Sequence, residues 1–513
     1  MLSTAIAWTS ECSPGYLGGL GIRTSGYPPA VRRLIALVVL AAALLAGCGS
    51  SSSAPKKADP TSVALSYFPS GTPFVLTAPT DPNSAAVKQS QTLESKLPVI
   101  GFAKATLIGR LQGLGIDYQA DIRPLLGNPI AIGATTPTLS GAASSQFLGA
   151  WVTKSASKLK ALITKLHLPA SGSHDGTQLY SAGGAAFAVD GATVLFGASP
   201  ATLDAALDRH AQGGGVSGAE RASETAGLPS GSALEAFGSL ANVLSGPRSA
   251  KARRVPWVAA IRGYGVAVSS TSSGLAIHFR LDTTGGPLTS AELPIAGGTT
   301  PPNLAGDLPI QVAMRDPAQV VHFAEQAEQA TSPVTYARFL AREAKFKRKT
   351  GLDLNSLVAQ LTGNLILESD THTTIGRVTV SNPTIAARDL QKLVAAPQSI
   401  FKATTRFTSL GGGLYQVKTP RMTLTVGVVA GQLVVGRATP AQIRSFASAP
   451  STPASAGTGS LAFKVALAEL LRLKLKHPPS ATEQALFNLL GDVTGSSSAS
   501  PGGLSGIAAL SLR

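Results

Sequence analysis

Two aspartates invite a catalytic reading first. Asp117 and Asp353 close the triplets Gly115-Ile-Asp117 and Gly351-Leu-Asp353, and a carboxylate pair held together can divide acid and base roles. An aspartate just after a glycine also suits a turn or cap, where its oxygens accept from free backbone N–H groups, and we adopt that reading. Ser155-Ala-Ser-Lys158 and Lys349-Thr-Gly351 carry the residue types of a serine acyl-transfer site. Their contexts argue against one: Lys349 ends a basic helical run where a strand is required, and no S-x-N lies between the two motifs. Gly-x-Ser-x-Gly and a P-loop lysine are both missing, and Gly113-Leu-Gly115 lacks the third glycine of a dinucleotide loop. His167, His174, His210, His278, His322, His372 and His477 never pair as H-x-H or H-E-x-x-H, and are read as single surface histidines. The expectation is a non-enzymatic protein with no catalytic residue, no cofactor and no metal site.

Cys48 is the residue best placed for covalent chemistry. Arg32-Arg33 precedes an apolar run, Leu34–Leu45, and then Ala46-Gly47-Cys48. A charged start, a short apolar run and small residues mark a signal peptide, and the run is shorter than the roughly 20 residues that cross a bilayer. Leu45-Ala46-Gly47-Cys48 resembles the lipobox of bacterial lipoproteins. That resemblance implies a diacylglyceryl group on the Cys48 thiol, cleavage before it, palmitate-type acylation, and a fit of Leu45, Ala46 and Gly47 to the peptidase. Residues 1–31 fit no part of a signal peptide and read as an over-extended gene start, with Val31 as a GTG initiator, so 1–47 is leader. Residues 48–62, Ser/Ala/Pro/Lys-rich, read as a flexible tether reaching roughly 20 Å. The expected location is the cell membrane, lipid-anchored on its extracytoplasmic face, with membrane lipid as partner through acylated Cys48.

The elements beyond the tether repeat. Gly71–Pro82 lies beside Gly306–Pro317, Gly115-Ile-Asp117 beside Gly351-Leu-Asp353, and Leu125–Asn128 beside Leu361–Asn364. Leu179-Tyr180 matches Leu414-Tyr415. Gly191 with Pro200-Ala201 matches Gly431 with Pro440-Ala441, and Gly231-Ser232 matches Gly459-Ser460. Asp81-Pro82, Ser199-Pro200, Asp316-Pro317, Asn382-Pro383 and Thr439-Pro440 each read as an N-cap followed by proline at the first helical position. Leu159, Leu162, Ile163 and Leu166 recur at helical spacing, as do Ala386, Leu390, Leu393 and Val394. Strands are expected at 74–78, 130–133, 147–153, 185–189 and 193–197, and again at 310–314, 365–368, 376–381, 422–429 and 432–436. Tight hairpins are expected at 189–192 and 429–432.

Hairpin-linked strands alternating with helices predict an α+β fold with largely antiparallel sheets and packed helices. It would be built as two tandem, internally duplicated units, 63–283 and 306–513, joined by a linker at 284–305. Asp121-Ile-Arg-Pro-Leu-Leu-Gly127, followed by an apolar strand, resembles a block of an uncharacterised bacterial family, domain of unknown function 3352. The lipoprotein start, Phe68-Pro69…Pro73 and Asp190-Gly191…Gly197 resemble it too, and the likeness extends over most of 63–513. In the second copy Leu357-Val358 and Leu361-Thr362-Gly363 keep the apolar positions but lack the Asp and Pro. The resemblance implies no activity.

The 513 residues carry 43 Lys+Arg against 27 Asp+Glu, with 14% charged and 44% hydrophobic. That excludes a disordered chain, and two cysteines exclude a disulfide scaffold. The sharpest basic patch is Arg338–Lys349, where Tyr336, Phe339, Leu340 and Phe346 mark an apolar face and cations the rest. It points to an anionic surface, an envelope polymer or a protein, and export excludes nucleic acid. The function expected is a ligand- or partner-binding envelope lipoprotein. The alternatives are a solute-binding lipoprotein of a transporter and, after it, an undetected envelope hydrolase.

Overall fold

The computed structural model describes residues 59–96, 105–106, 108–109, 111–113, 115–136, 147–182, 185–271, 273–396, 405–420, 422–454, 459–475 and 477–513. The expected leader, Leu45, Ala46, Gly47, the acylation site Cys48 and most of the tether lie outside them. Two compact units divide the described residues. The first holds those up to Val87 and between Val99 and Gly218; the second holds those between Lys88 and Pro98 and all from Ala219.

The first unit opens with α1 (Pro60–Leu65), capped by Asp59, whose carboxylate accepts from the N–H groups of Thr61 and Ser62. Its strands are β1 (Val75–Ala78), β2 (Ile130–Ala134), β3 (Phe147–Val152), β4 (Ala170–His174), β5 (Thr177–Ala182), β6 (Ala185–Asp190) and β7 (Thr193–Gly197). They pair antiparallel throughout, in the order β1-β2-β3-β7-β6-β5-β4. The chain reaches α2 (Ala85–Lys96) between β1 and β2, α3 (Ala156–Lys165) after β3, and α4 (Pro200–Gln212) after β7. Leu159 and Leu162 of α3 pack with Leu111, Ile116 and Leu125 in one core cluster. Each such side chain contributes about 2 kcal/mol by leaving water.

The second unit begins with α5 (Gly218–Glu224), β8 (Leu234–Ser239), α6 (Ala241–Ser245), α7 (Pro256–Ala260), β9 (Gly263–Thr271) and β10 (Gly274–Asp282). After β11 (Leu304–Ala305) and β12 (Ile310–Met314) come α8 (Pro317–Thr331), α9 (Pro333–Thr350) and α10 (Leu354–Val358). The chain continues through β13 (Leu365–Ser369), β14 (Thr374–Thr379), α11 (Pro383–Val394), β15 (Arg406–Gly411), β16 (Leu414–Lys418), β17 (Thr423–Val429), β18 (Gln432–Arg437), α12 (Pro440–Ser448) and β19 (Ser451–Thr452). It ends with β20 (Leu461–Ala466), α13 (Leu467–Lys474), α14 (Ala481–Leu489), β21 (Leu490–Ser500) and β22 (Gly503–Leu512). Seven of these strands pair in the order β12-β13-β14-β18-β17-β16-β15, which is the order of β1 to β7 in the first unit. Two three-strand runs, β8-β9-β10 and β20-β21-β22, also correspond. The protein is thus a mixed α+β fold dominated by antiparallel sheet.

The matched glycines share a backbone conformation. Gly71 and Gly306 have φ of 69° and 97°, Gly115 and Gly351 74° and 69°, Gly191 and Gly431 58° and 75°. Positive φ is costly for any residue with a Cβ, so these positions are fixed by turn geometry. The two expected hairpins are both present, with Asp190 paired to Thr193 and Val429 to Gln432. In the second, Ala430 joins Gly431 at positive φ, as a type I′ turn demands.

Three of the five Asp/Ser/Asn/Thr-Pro sites cap as expected. Ser199, Asn382 and Thr439 accept from the N–H groups of Thr202, Ile385 and Gln442. Asp81 instead closes a turn onto the Asn83 N–H, and Ser84 supplies the oxygen that reaches Val87 in α2. Asp316 sits at φ 44° and makes no side-chain cap bond, because a left-handed backbone turns its side chain away from the helix mouth.

The compact units divide at Gly218, ahead of the linker expected at 284–305. The physical reason is β10, which pairs with β22 from Gly274↔Ser511 to Asp282↔Gly503 and so packs residues 263–282 with the C-terminal strands. Strand β21 was not expected either. Its Gly-Asp-Val-Thr-Gly-Ser-Ser-Ser core reads like a linker, yet it pairs with β20 on one side and β22 on the other. A Cβ on Gly495 would fall 2.4 Å from the Phe463 ring, so small residues are what the packing admits there.

Candidate functional site

The two tempting aspartates are both caps. Asp117 Oδ1 accepts from the Ala120 N–H at 2.7 Å, ahead of a short π-type turn at Tyr118–Ile122. Asp353 Oδ1 accepts from the N–H groups of Asn355 and Ser356 at 3.0 and 3.3 Å, at the start of α10. Each cap is followed by a lysine tie: Lys165 to Asp121 in the first unit, Lys347 to Asp353 in the second, both at 2.5 Å. The lysine hydrogen bonds hold the carboxyls of Asp121 and Asp353 below the ordinary aspartate range. Ser155 caps α3 by accepting from the Lys158 N–H. Lys349 lies in the last turn of α9, which Gly351 terminates. The serine, the lysines and both aspartates are therefore engaged in local structure.

One group escaped the sequence reading. His174, at the end of β4, stands between two carboxylates of α4: Nε2 lies 2.6 Å from Asp208 Oδ1, and Nδ1 3.6 Å from Asp204 Oδ1. The Asp208 hydrogen bond and the charges of Asp208, Asp204 and Asp175 raise the imidazole pKa. Ligand atoms of His174, Asp175 and Asp208 lie within 4.8 Å of one another; acidic groups at a surface commonly gather without an ion, and we assign none to them. The available signal was Asp204 and Asp208 at i, i+4 on one helix face.

Two of the buried charges among the described residues, Glu368 and Arg377, lie on β13 and β14. Glu368 accepts from the N–H groups of Asp307 and Leu308 at 2.9 and 3.2 Å. Gly306 allows this approach, since a Cβ there would fall 2.0 Å from Glu368 Oε2. Arg377 donates to the carbonyls of Phe446, Ala447 and Ala449, at 2.5, 3.1 and 2.8 Å, where α12 ends. Beside Gly306 lies a polar hollow of about 200 Å³, lined by Asp307, Gln311, Lys464 and Glu469 among others. Small-molecule sites usually begin near 300 Å³.

The basic run Arg338–Lys349 lies on α9. Ser332 alone separates it from α8, and Pro333 at the first helical position starts it without an orphan N–H. Gln319 of α8 donates to the carbonyls of Ser290, Ala291 and Leu293, and Phe323 meets Trp257 edge-on at 6.4 Å. That fixes α8 as the base on which α9 packs. Tyr336, Phe339, Glu343, Phe346 and Thr350 are the half-buried positions of α9, and none of its residues is fully buried. Leu340 is a correction to the expected apolar face: it is 43% exposed and lies outside, with Val334 at 66%. Burial, followed by the charges of Asp353 and Glu325, pushes the Glu343 pKa up. Lys347, Arg348 and Lys349 occupy the last turn, where cations complement the helix dipole. No helix among the described residues is long and apolar enough to cross a membrane.

Among curated proteins, none matches the chain. Three solved structures of TP0453, from crystal forms III, IV and I, align with 44%, 43% and 45% of this chain and 82%, 80% and 82% of theirs. Identity is 8%, 8% and 9%, with a TM-score of 0.26 in each case; a likeness this distant carries no argument about fold or activity. Residues 31–358 match the family described as "Protein of unknown function (DUF3352)". The match takes in the Asp121–Gly127 block and ends at Val358. It spans more than half of the sequence, and the chain belongs to the DUF3352 family.

Proposed function

We propose that this chain is a non-enzymatic lipoprotein of the cell envelope, anchored through acylated Cys48, whose duplicated α+β body binds a ligand or partner outside the cytoplasm. The observation that carries the reading is the coincidence of Arg32-Arg33, the apolar run Leu34–Leu45 and Leu45-Ala46-Gly47-Cys48. Two acyl chains on one residue anchor stably where one is marginal. The capping roles of Asp117, Asp353 and Ser155 support the non-enzymatic part, because they occupy the side chains that chemistry would need. The shared pairing order of β1–β7 and β12–β18 supports descent of the body by duplication.

Replacing Cys48 by Ala in the full chain tests the anchor. The parent should fractionate with membranes and incorporate a clickable fatty-acid probe. Cys48→Ala should do neither, and continued labelling of the variant refutes the reading.

A further inference from the structure

We infer that the outer face of α9 docks on an anionic phospholipid bilayer. The inference deepens the envelope-lipoprotein reading and rests on it for location only. At 100° per residue, the half-buried positions Tyr336, Phe339, Glu343, Phe346 and Thr350 fall on one side of the helix, toward its packing partner. The opposite side carries Val334, Ala337, Leu340, Ala341 and Ala344 within an arc of about 120°, all exposed. Arg338, Arg342 and Lys345 run along one border of that arc, and Arg348 closes its C-terminal end. These four cations are exposed and have no ion-pair partner among the described residues.

Charge complementarity selects an anionic partner, since cations near such a surface each add to binding. The apolar arc selects lipid over polymer. Val334 and Leu340 are exposed at 66% and 43%, and their side chains gain by entering the acyl boundary of a bilayer, as interfacial helices do. A hydrated polyanion offers them nothing. The helix would lie in the surface plane with its cations at phosphate level, without spanning the bilayer.

The test uses the full chain carrying Cys48→Ala, so that acylation cannot hold it to vesicles. Co-sedimentation is measured with phosphatidylcholine vesicles, with phosphatidylcholine–phosphatidylglycerol vesicles, and with long-chain polyphosphate as a lipid-free polyanion. Binding to the anionic vesicles should exceed that to neutral vesicles at least about tenfold, and should fall when salt is raised to about 0.5 M. Replacing Arg338, Arg342, Lys345 and Arg348 by Gln should remove the preference. Val334→Ser with Leu340→Ser, which removes the apolar side chains without adding charge, should weaken vesicle binding while leaving polyphosphate binding unchanged. All these side chains are exposed, and unchanged circular dichroism and melting temperature verify the fold. Equal binding to both vesicle types, or binding that survives the four Gln replacements, overturns the inference. Vesicle binding indifferent to the two Ser replacements assigns the face to a polyanion instead. Loss of fatty-acid labelling is read separately, so failure of the anchor and failure of the docking face are distinguishable.

Discussion

The two strand runs that share one pairing order handle charge in opposite ways. In the first, His174 sits at the end of edge strand β4, matched by two carboxylates of α4 and open to solvent. In the second, Glu368 and Arg377 lie on the adjacent strands β13 and β14 and are each only 7% exposed. Arg377 stacks over Phe446 at 5.1 Å as well as donating to three carbonyls. The comparison teaches that one pairing order of strands can be built around charged positions that differ in place and in burial. What differs is the consequence of losing each charge. A surface partner is replaced by water, whereas a buried partner leaves desolvated groups behind.

The largest expected effect follows from that difference. Arg377→Met should destabilise the protein by about 3 kcal/mol, because it abandons three carbonyls at the end of α12 and leaves Glu368 without its neighbouring cation. His174→Gln should leave the denaturation midpoint unchanged. Urea titrations of both variants measure the contrast, and a neutral Arg377→Met would abolish it.

Glu224 tests the same principle with a carboxyl that has no ion-pair partner among the described residues. Its Oε2 is enclosed and accepts no hydrogen bond, and a Cβ on Gly263 would fall 1.8 Å from it. Burial, then the charges of Asp282 and Glu220, push its pKa up to about 7, against a smaller opposing effect of Arg280. Tyr264, beside it, is pushed up to about 12 by burial and by the Glu224 charge. A carboxyl whose folded pKa is raised contributes stability fully below its unfolded pKa of about 4.3 and loses it as pH rises through about 7. Glu224→Gln should therefore match the parent at pH 4 and exceed it by about 1–2 kcal/mol at pH 8, after allowance for solvent screening. Thermal unfolding across that range measures the gain. A pH-independent difference would mean that the fold leaves the titration of this carboxyl unshifted.

Much of the scaffold was legible because its punctuation is local. Glycines at Gly115, Gly191, Gly351 and Gly431 and caps at Ser199, Asn382 and Thr439 depend on one to four neighbouring residues, which a sequence displays. The ten expected strands lie where apolar or β-branched runs had placed them. What was missed depends on distant partners. β9, β21 and β22 are rich in Gly, Ser and Ala, and are strands because each finds a neighbour on either side. The His174 cluster joins residues 30 or more apart in sequence, which spacing rules do not register. Leu340 was assigned inward because helical periodicity locates an apolar side without saying which neighbour covers it; here Tyr336, Phe339 and Phe346 take the packed side.

The smallest expected effect asks whether equivalent caps in the two runs are equally important. Ser199 and Thr439 precede the matched prolines Pro200 and Pro440, and each accepts from an N–H at 3.3 Å. Thr439 has a second tie: Gln442 Oε1 accepts from the Thr439 N–H and hydroxyl at 2.9 Å, completing a capping box. Ser199 has only the hydroxyl of Thr202 at 3.0 Å, which leaves its own N–H outside the motif. An N-cap replaced by alanine typically loses about 1 kcal/mol. Ser199→Ala should fall near or below that value. Thr439→Ala should exceed it by a few tenths, because Gln442 then loses its hydroxyl donor while the cap oxygen is gone. The double variant Thr439→Ala with Gln442→Ala should cost little more than Thr439→Ala alone if the two side chains act as one unit. Urea midpoints of the parent, Ser199→Ala, Thr439→Ala, Gln442→Ala and the double variant measure this directly, and additive losses at Thr439 and Gln442 would show that the box is geometric without being coupled.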